Sequence, residues 1–389
     1  MEKKRRFPAY TAFLIFNAAF FMMDTVNSYF NIYLDGLGFT KTMIGTVTGV
    51  SYLIALACQP VFAALMDRSA SRTRMLQGLI LITAALYPLL LLNNSFAYIL
   101  VLYAVFTVFR RLQPALNTAI SVEYAGESGR DYGPIRMMGA VGYTAMMTFI
   151  SYLAGTEGGV QKTFWFYSLI CLGNVLLLFL LPPMPGHNRH GKKESVSPWS
   201  LLKNKGLALL ILYHVLICTA NGVGNTFFPI YAANEMGAGN SFYGVMVTVG
   251  SMLEIPFLFM ADRIIRRLGI RRTVALLGLL TALRWGNAYL AQSTGQLFVT
   301  QGLNFVNILE GVVVAIMINR LVAPQLKTVA QTLAVTVQGV LGILISSVAG
   351  GVLADWIGIR PLFMIAAGLA LGTAGLFFFL LRGKVEIEK

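Results

Sequence analysis

Long apolar runs separated by short polar turns make up most of the chain. Each run has about 20 residues, which is enough for one helix to cross the ~30 Å hydrocarbon layer of a bilayer. A β-barrel would instead give alternating segments of about ten residues. The pattern predicts an all-α membrane protein with twelve transmembrane helices, at residues 9–34, 43–66, 75–92, 96–122, 135–154, 163–181, 206–233, 241–261, 274–291, 296–322, 329–353 and 361–381.

A polar segment near the middle of the chain divides these helices into two groups of six. It is rich in Pro, His, Lys and Ser and contains no run that could span a bilayer. The sequence therefore predicts an N-terminal six-helix bundle at 1–181, a cytoplasmic linker at 182–205 and a C-terminal six-helix bundle at 206–389.

Two motifs occur once in each half at similar spacing. Asp67–Arg68 comes at the end of predicted helix 2, and Asp262–Arg263 follows helix 8, each before a basic turn. Asn27-Ser-Tyr-Phe-Asn-Ile-Tyr in helix 1 corresponds to Asn225-Thr-Phe-Phe-Pro-Ile-Tyr in helix 7. We expect two pseudo-symmetric halves of like orientation, with a ligand site near mid-membrane.

Composition and charge placement support a membrane location. The chain is 57% hydrophobic and 12% charged, with a net charge of +14 and a mean hydropathy of +0.70. Lys and Arg concentrate at the N-terminus, in the turns after helices 2 and 8, in the linker and at the C-terminus. This distribution predicts a multi-pass protein of the bacterial inner membrane with both termini in the cytoplasm. It argues against a nucleic-acid partner.

The sequence does not contain the motifs of an enzyme or a metalloprotein. It has no HExxH, no GxSxG and no P-loop, so neither hydrolysis nor direct use of ATP is expected. Cys58, Cys171 and Cys218 lie in apolar runs and are interpreted as small core residues. His214 in helix 7 is interpreted mainly as a packing residue. We predict no metal and no cofactor other than the proton.

Ionisable side chains inside the predicted helices are the main candidates for function. Each costs about 2.5–3.5 kcal/mol at mid-membrane on insertion scales, so each needs a partner or a watery cavity. Burial raises the pKa of a carboxyl group and a nearby Arg lowers it, which allows an acid to bind and release a proton as its partner changes. The predicted proton-coupling residues are Asp24, Arg110, Glu254, Arg284 and Glu310.

Two pairings of these groups are expected. Asp24 would pair with Arg110 in the first half, and Glu254 or Glu310 with Arg284 in the second. The alternative is that they form structural ion pairs. Neutral hydrogen-bonding groups at Asn27 and Asn225 would line the central cavity, or would join helices.

The motifs resemble those of the major facilitator superfamily. The Asp67–Arg68 turn is similar to that superfamily's loop motif, and Arg110-x-x-Gln113-Pro resembles its Arg-x-x-Gln-Gly motif in helix 4. The stretch from Tyr132 to Tyr143 resembles the branch that holds lactose permease and the phenylpropionate permeases. Closing contacts at Asp67, Arg68, Asp262 and Arg263 are expected to gate the inner side.

The resemblance also implies binding residues. It assigns substrate contacts to Arg136 and Tyr143, and proton chemistry to the helix 9 Arg and the helix 10 Glu. Asn307 stands where that branch has a His three residues before the Glu, and Asn117 stands near its sugar-binding carboxylate. Arg136 could alternatively face lipid phosphate at the inner surface.

These observations predict a secondary transporter of a small organic solute. The expected substrate is an aromatic acid, a sugar or a nucleoside-like compound, carried by proton symport with alternating access. The expected partners are the solute, protons and the lipid bilayer, and the chain is expected to be a monomer. The alternative is a proton-coupled efflux antiporter for lipophilic compounds.

Overall fold

The fold is that of a computed structural model, which describes residues 9–68, 71–181, 201, 203–322 and 326–380. Within these ranges the side chains at 60, 63–68, 258, 259, 261, 262, 319, 327–329, 332 and 340 are not described. The predicted linker at 182–205 therefore lies largely outside the described residues.

Helices account for nearly all of the described chain, as the apolar runs predict. Fifteen α-helices lie in the described ranges: α1 (Ala9–Met22), α2 (Asp24–Asn27), α3 (Phe30–Gly36), α4 (Lys41–Arg68), α5 (Arg72–Leu89), α6 (Phe96–Ser128), α7 (Tyr132–Ala154), α8 (Gly159–Leu178), α9 (Lys205–Ile230), α10 (Gly239–Leu290), α11 (Leu297–Gly302), α12 (Phe305–Leu321), α13 (Lys327–Val337), α14 (Ile345–Ile357) and α15 (Ile359–Leu380). Gly269 bends α10 with φ +72°, so this element contains predicted helices 8 and 9.

Membrane-spanning length is reached by many of these elements. Eight stretches of the described chain are long and apolar enough to cross a bilayer: Ala9–Gly36, Lys41–Gln59, Phe96–Ser128, Tyr132–Ala154, Lys205–Glu235, Thr294–Ile318, Leu333–Ile357 and Ile359–Leu380. The count of twelve and the pseudo-symmetry stay predictions.

Two of the predicted helices are broken, and two others contain π-helical segments, of which Tyr231–Glu235 lies at the end of predicted helix 7. Predicted helix 1 breaks at Met23, between α1 and α2, and predicted helix 10 breaks at Leu303 and Asn304. Predicted helix 11 contains a π-helical segment, Gln338–Leu344, between α13 and α14. Breaks in spanning helices leave backbone polar groups that only a protein interior or a watery cavity can satisfy. They therefore indicate where a polar site lies.

The chain forms two compact units. Unit 1 comprises Met1–Phe39, Val50–Gly191 and Gly239–Thr248, and unit 2 comprises Thr40–Gly49, Lys192–Ala238 and Val249–Lys389. The first turns of α4 thus pack with the C-terminal helices, and the first turns of α10 pack with the N-terminal ones. The sequence-based division at 181 and 205 stays a prediction.

Glycines allow close helix contact inside unit 1. A Cβ added at Gly142 of α7 would lie 2.1 Å from the carbonyl oxygen of Ala18 in α1. At Gly139 it would lie 2.4 Å from the Phe21 ring. Small residues at such positions let helix backbones approach one another in a membrane. These two glycines therefore allow α1 and α7 to pack closely.

The start of α4 is held in unit 2 by α14. Asp355 accepts hydrogen bonds from the backbone N–H groups of Lys41 and Thr42, both at 2.8 Å. A carboxylate in this position caps the helix and complements its positive end. A Cβ at Gly45 would lie 1.9 Å from the Ser347 carbonyl oxygen, so α4 and α14 also touch backbone to backbone.

Candidate functional site

The first polar cluster lies at the break in helix 1. Asp24 begins α2, directly after Met23, and Arg110 lies within α6. Arg110 Nη2 donates to Asp24 Oδ1 at 2.5 Å. The structure thus brings together the pair that the sequence predicts for the first half. The Arg110 side chain is 6% exposed and the Asp24 side chain 36%, so the acid is the accessible member.

Gln113 holds Arg110 from its other side. Arg110 Nη1 donates to Gln113 Oε1 at 3.0 Å, one helical turn further along α6. Gln113 Nε2 in turn donates to the Leu79 carbonyl oxygen at 3.1 Å and to Thr83 Oγ1 at 2.9 Å in α5. These contacts fix the guanidinium independently of the charge on Asp24.

The structure uses Asn117 to join helices. Asn117 Nδ2 donates to Asn17 Oδ1 at 3.1 Å, and Asn17 Nδ2 donates to Ser121 Oγ at 3.1 Å. Ser121 Oγ donates to Asn117 Oδ1 at 3.5 Å, which closes a buried triangle between α1 and α6. Both ends of the Asn117 amide are therefore engaged by protein, although the sequence places it among the substrate contacts.

The other predicted substrate residues of unit 1 lie apart from this triangle. Arg136 is exposed near the start of α7, with its guanidinium 4.4 Å from the centroid of the Phe21 ring. Tyr143 is half-buried about two turns further along the same helix. Asn27 is half-buried at the end of α2. Their substrate roles stay predictions.

A cavity is lined by residues of unit 2, both apolar and polar. Its volume is about 500 Å³, within the range of small-molecule sites. The walls are formed by α9, α12 and the segment that includes α13 and the π-helical turn. Its polar lining consists of His214, Cys218, Asn221, Asn225, Asn307, Glu310, Gln331 and Gln338. No Arg or Lys occurs among the described residues that line it.

One face of α9 supplies half of that polar lining. His214, Cys218, Asn221 and Asn225 recur at the spacing of a single helix face, and all four line the cavity. A polar stripe in a transmembrane helix is costly unless it faces a cavity or another polar surface. The stripe therefore fixes the rotation of α9 toward the cavity.

Glu310 and His214 form a buried pair across the cavity wall. Glu310 Oε1 lies 2.7 Å from His214 Nδ1, and the two side chains are 4% and 8% exposed. The sequence pairs Glu310 or Glu254 with Arg284, whereas the structure places His214 beside Glu310. The imidazole beside this acid thus comes from α9, not from position 307 on the same helix.

Arg284 and Trp285 orient two amides of the cavity. Arg284 donates to Asn221 Oδ1 at 3.5 Å and to Asn225 Oδ1 at 3.2 Å. Trp285 Nε1 donates to Asn221 Oδ1 at 3.0 Å. Because donors already occupy these oxygens, each amide has its Nδ2 group to offer a ligand. Arg284 also donates to the Thr300 carbonyl oxygen at 3.1 Å, which ties α10 to α11.

Glu254 belongs to a second polar contact in unit 2. Asn304, at the break in helix 10, donates from Nδ2 to Glu254 Oε1. Asn307 donates in turn to Asn304 Oδ1 at 2.9 Å. A short chain of hydrogen bonds therefore leads from α10 through the break to Asn307 at the cavity.

The predicted gate residues fall mostly outside the described side chains. The side chains of Asp67, Arg68 and Asp262 are not described, and Arg263 is exposed on α10. Their gating role stays a prediction.

Five polar residues of the cavity lining were not predicted as site residues: His214, Cys218, Asn221, Gln331 and Gln338. His214 was interpreted as a packing residue, yet its spacing to Cys218, Asn221 and Asn225 signals a shared polar face. Gln331 and Gln338 had no comparable signal.

Three potential metal ligands also meet at this cavity, since ligand atoms of His214, Cys218 and Glu310 all lie within 4.8 Å of one another.

Comparison with known proteins identifies the family. A model described as the MFS_1 like family matches residues 10–365, so the chain belongs to this family of major facilitator superfamily transporters. It is 21% identical to an uncharacterized transporter, YwbF, of Bacillus subtilis (strain 168), over 99% of this chain and 96% of that protein. It is 24% identical to the maltose permease of Geobacillus stearothermophilus, over 70% of this chain and 68% of that protein.

Solved structures agree with this assignment. The crystal structure of the nucleoside transporter NupG matches with a TM-score of 0.85 at 15% identity, over 97% of this chain and 100% of that one. At this identity the likeness establishes the fold alone. The chain is a multi-pass membrane protein, and its family points to a transporter of small solutes rather than an enzyme.

Proposed function

We propose that this protein is a proton-coupled symporter for a neutral, polyhydroxylated solute of the sugar or nucleoside class. The solute binds in the unit 2 cavity, and the Asp24–Arg110 pair carries the coupling proton. The chain works as a monomer in the bacterial cytoplasmic membrane, with both termini in the cytoplasm and with alternating access.

The lining of the unit 2 cavity carries the proposal. Five amide side chains and the His214–Glu310 pair surround about 500 Å³. Asn221 and Asn225 offer donors from one side, and Glu310 offers a carboxylate acceptor from the other. A hydroxyl group is both donor and acceptor, so a molecule with several hydroxyls can satisfy both walls. The similarity of the chain to a maltose permease supports the same class of solute.

The charge of this lining disfavours an aromatic acid. The carboxylate of Glu310 would repel the carboxylate of such a substrate, and the described lining has no Arg or Lys. The nearby basic groups already have protein partners, since His214 pairs with Glu310 and Arg284 donates to Asn221 and Asn225. Two carboxylates about 4 Å apart repel by ~4 kcal/mol at an effective dielectric constant of about 20. Arg136, which could hold an acid, lies in unit 1.

Asp24 is the better coupling acid on grounds of access. A coupling acid must exchange its proton with water, and the Asp24 side chain is the more exposed of the two, at 36% against 4% for Glu310. Arg110, held by Gln113, remains in place when Asp24 is protonated, so protonation breaks one defined ion pair. We therefore assign Glu310 to solute binding. Arg284 and Glu254 hold the amides of the cavity lining in place through their hydrogen bonds.

A ligand screen on the purified protein tests the substrate class. We expect maltose, raffinose or a nucleoside such as uridine to raise the melting temperature, and benzoate and phenylpropionate to leave it unchanged. A ligand present at 100 times its Kd adds about 2.7 kcal/mol of stability. The Asn221→Ala variant should lose the shift. Stabilisation by the aromatic acids and by none of the neutral compounds would reject this class.

A further inference from the structure

Three ligand atoms of different chemistry converge in the wall of the unit 2 cavity. Cys218 Sγ lies 3.6 Å from His214 Nδ1, which itself lies 2.7 Å from Glu310 Oε1. His214 and Cys218 are one helical turn apart on α9, and Glu310 faces them from α12. All three side chains line the cavity, so an ion that enters the cavity can reach them.

We propose that His214, Cys218 and Glu310 form a binding site for a thiophilic divalent cation of the Zn²⁺ class. The site supplies one imidazole nitrogen, one sulfur and one carboxylate oxygen, and the fourth position opens into the cavity. Three protein ligands with an open fourth position are the usual arrangement of a non-structural zinc site. This proposal does not depend on which solute binds or on how protons are coupled.

The three ligand atoms lie within 4.8 Å of one another, so side-chain movements of about 1 Å bring them to the spacing of a tetrahedral ion. Zn–N and Zn–O bonds of about 2.0–2.1 Å and a Zn–S bond of about 2.3 Å place neighbouring ligand atoms roughly 3.3–3.6 Å apart. The observed separation of 3.6 Å between Cys218 Sγ and His214 Nδ1 already fits. The imidazole and the carboxylate, now 2.7 Å apart, must separate by a little over 0.5 Å.

The donor set selects the class of ion. Sulfur and imidazole ligands favour Zn²⁺ and related transition metals, whereas Mg²⁺ and Ca²⁺ require oxygen ligands. The thiol of Cys218 loses its proton to water as the Zn–S bond forms. One thiolate and one carboxylate then balance the two charges of the ion, which suits a buried site.

Occupancy has a mechanical consequence. The ion would tie α9 to α12 and fill part of the space that the amides surround. We expect it to block solute binding by occupying the same cavity, without requiring any change in Asp24 or Arg110.

Cobalt absorption tests the site directly. With affinity tags removed and the protein treated with chelator, Co²⁺ should bind one per chain and give a sulfur-to-cobalt charge-transfer band, which Zn²⁺ removes. Cys218→Ser should lose the band and weaken Zn²⁺ binding by at least about tenfold. The matched control is Cys58→Ser, which removes a half-buried thiol of unit 1. This variant should retain the charge-transfer band and the wild-type affinity for Zn²⁺.

A second readout guards against a folding defect. Zn²⁺ should raise the melting temperature of the wild type and of Cys58→Ser, and leave that of Cys218→Ser unchanged, while all three melt alike in chelator. Absence of the band from the wild type at saturating Co²⁺, or an equal band in Cys218→Ser, would overturn the proposal.

Discussion

The Asp24→Asn variant is expected to lose uphill accumulation of the solute and to retain downhill exchange. Asn keeps the size of the side chain and can still accept a hydrogen bond from Arg110 Nη2, but it cannot carry a proton. With one proton per solute, each pH unit of gradient supports about tenfold accumulation, because 1.4 kcal/mol corresponds to a factor of ten. In the variant, the solute concentration inside should not exceed the concentration outside.

Proteoliposomes separate the two activities. Entrance counterflow, which needs no proton gradient, should proceed in Asp24→Asn at a rate close to that of the wild type. Accumulation under an imposed pH gradient should vanish. Asp131→Asn removes an exposed acid of the same unit and should behave as the wild type. Full accumulation by Asp24→Asn would remove this acid from the coupling mechanism.

The Glu310→Gln variant is expected to lose solute affinity. Glu310 is the one acid among the described residues of the cavity lining, and it is the strongest acceptor there. Hydrogen bonds to a charged group contribute about 1.5–3 kcal/mol, so the Kd should rise roughly 10- to 150-fold. Calorimetric titration with the solute found in the screen measures this change.

Two controls accompany that measurement. The melting temperature without solute shows whether Glu310→Gln folds, since its amide can still hydrogen-bond to His214. Glu157→Gln changes an exposed acid in a turn of unit 1 and should bind solute normally. An unchanged Kd in Glu310→Gln would place the solute elsewhere.

The helical fold and the first charge pair were accessible from the sequence. Run length alone predicts spanning helices, because backbone groups inside a bilayer must be satisfied within each segment. The Asp24–Arg110 pair was predictable because a buried guanidinium in helix 4 needs a partner at similar depth. The structure confirms the contact, while its role in coupling stays a proposal.

The second site was less accessible. His214 and Glu310 are 96 positions apart, and their contact depends on how α9 and α12 are rotated about their axes. The sequence contained the spacing of the α9 stripe but not which helix it faces. The break at Met23 has no Pro or Gly beside it, so tertiary contacts rather than local propensity set it, whereas Gly302 directly precedes the break at Leu303 and Asn304.

Proton movement driven by solute tests proton symport through Asp24 most directly. Wild-type proteoliposomes in a weakly buffered medium, with no imposed gradient, should alkalinise the medium when the solute identified in the screen is added outside. Asp24→Asn should not do so. Solute uptake without proton movement, or acidification of the medium as in an antiporter, would contradict proton symport through Asp24.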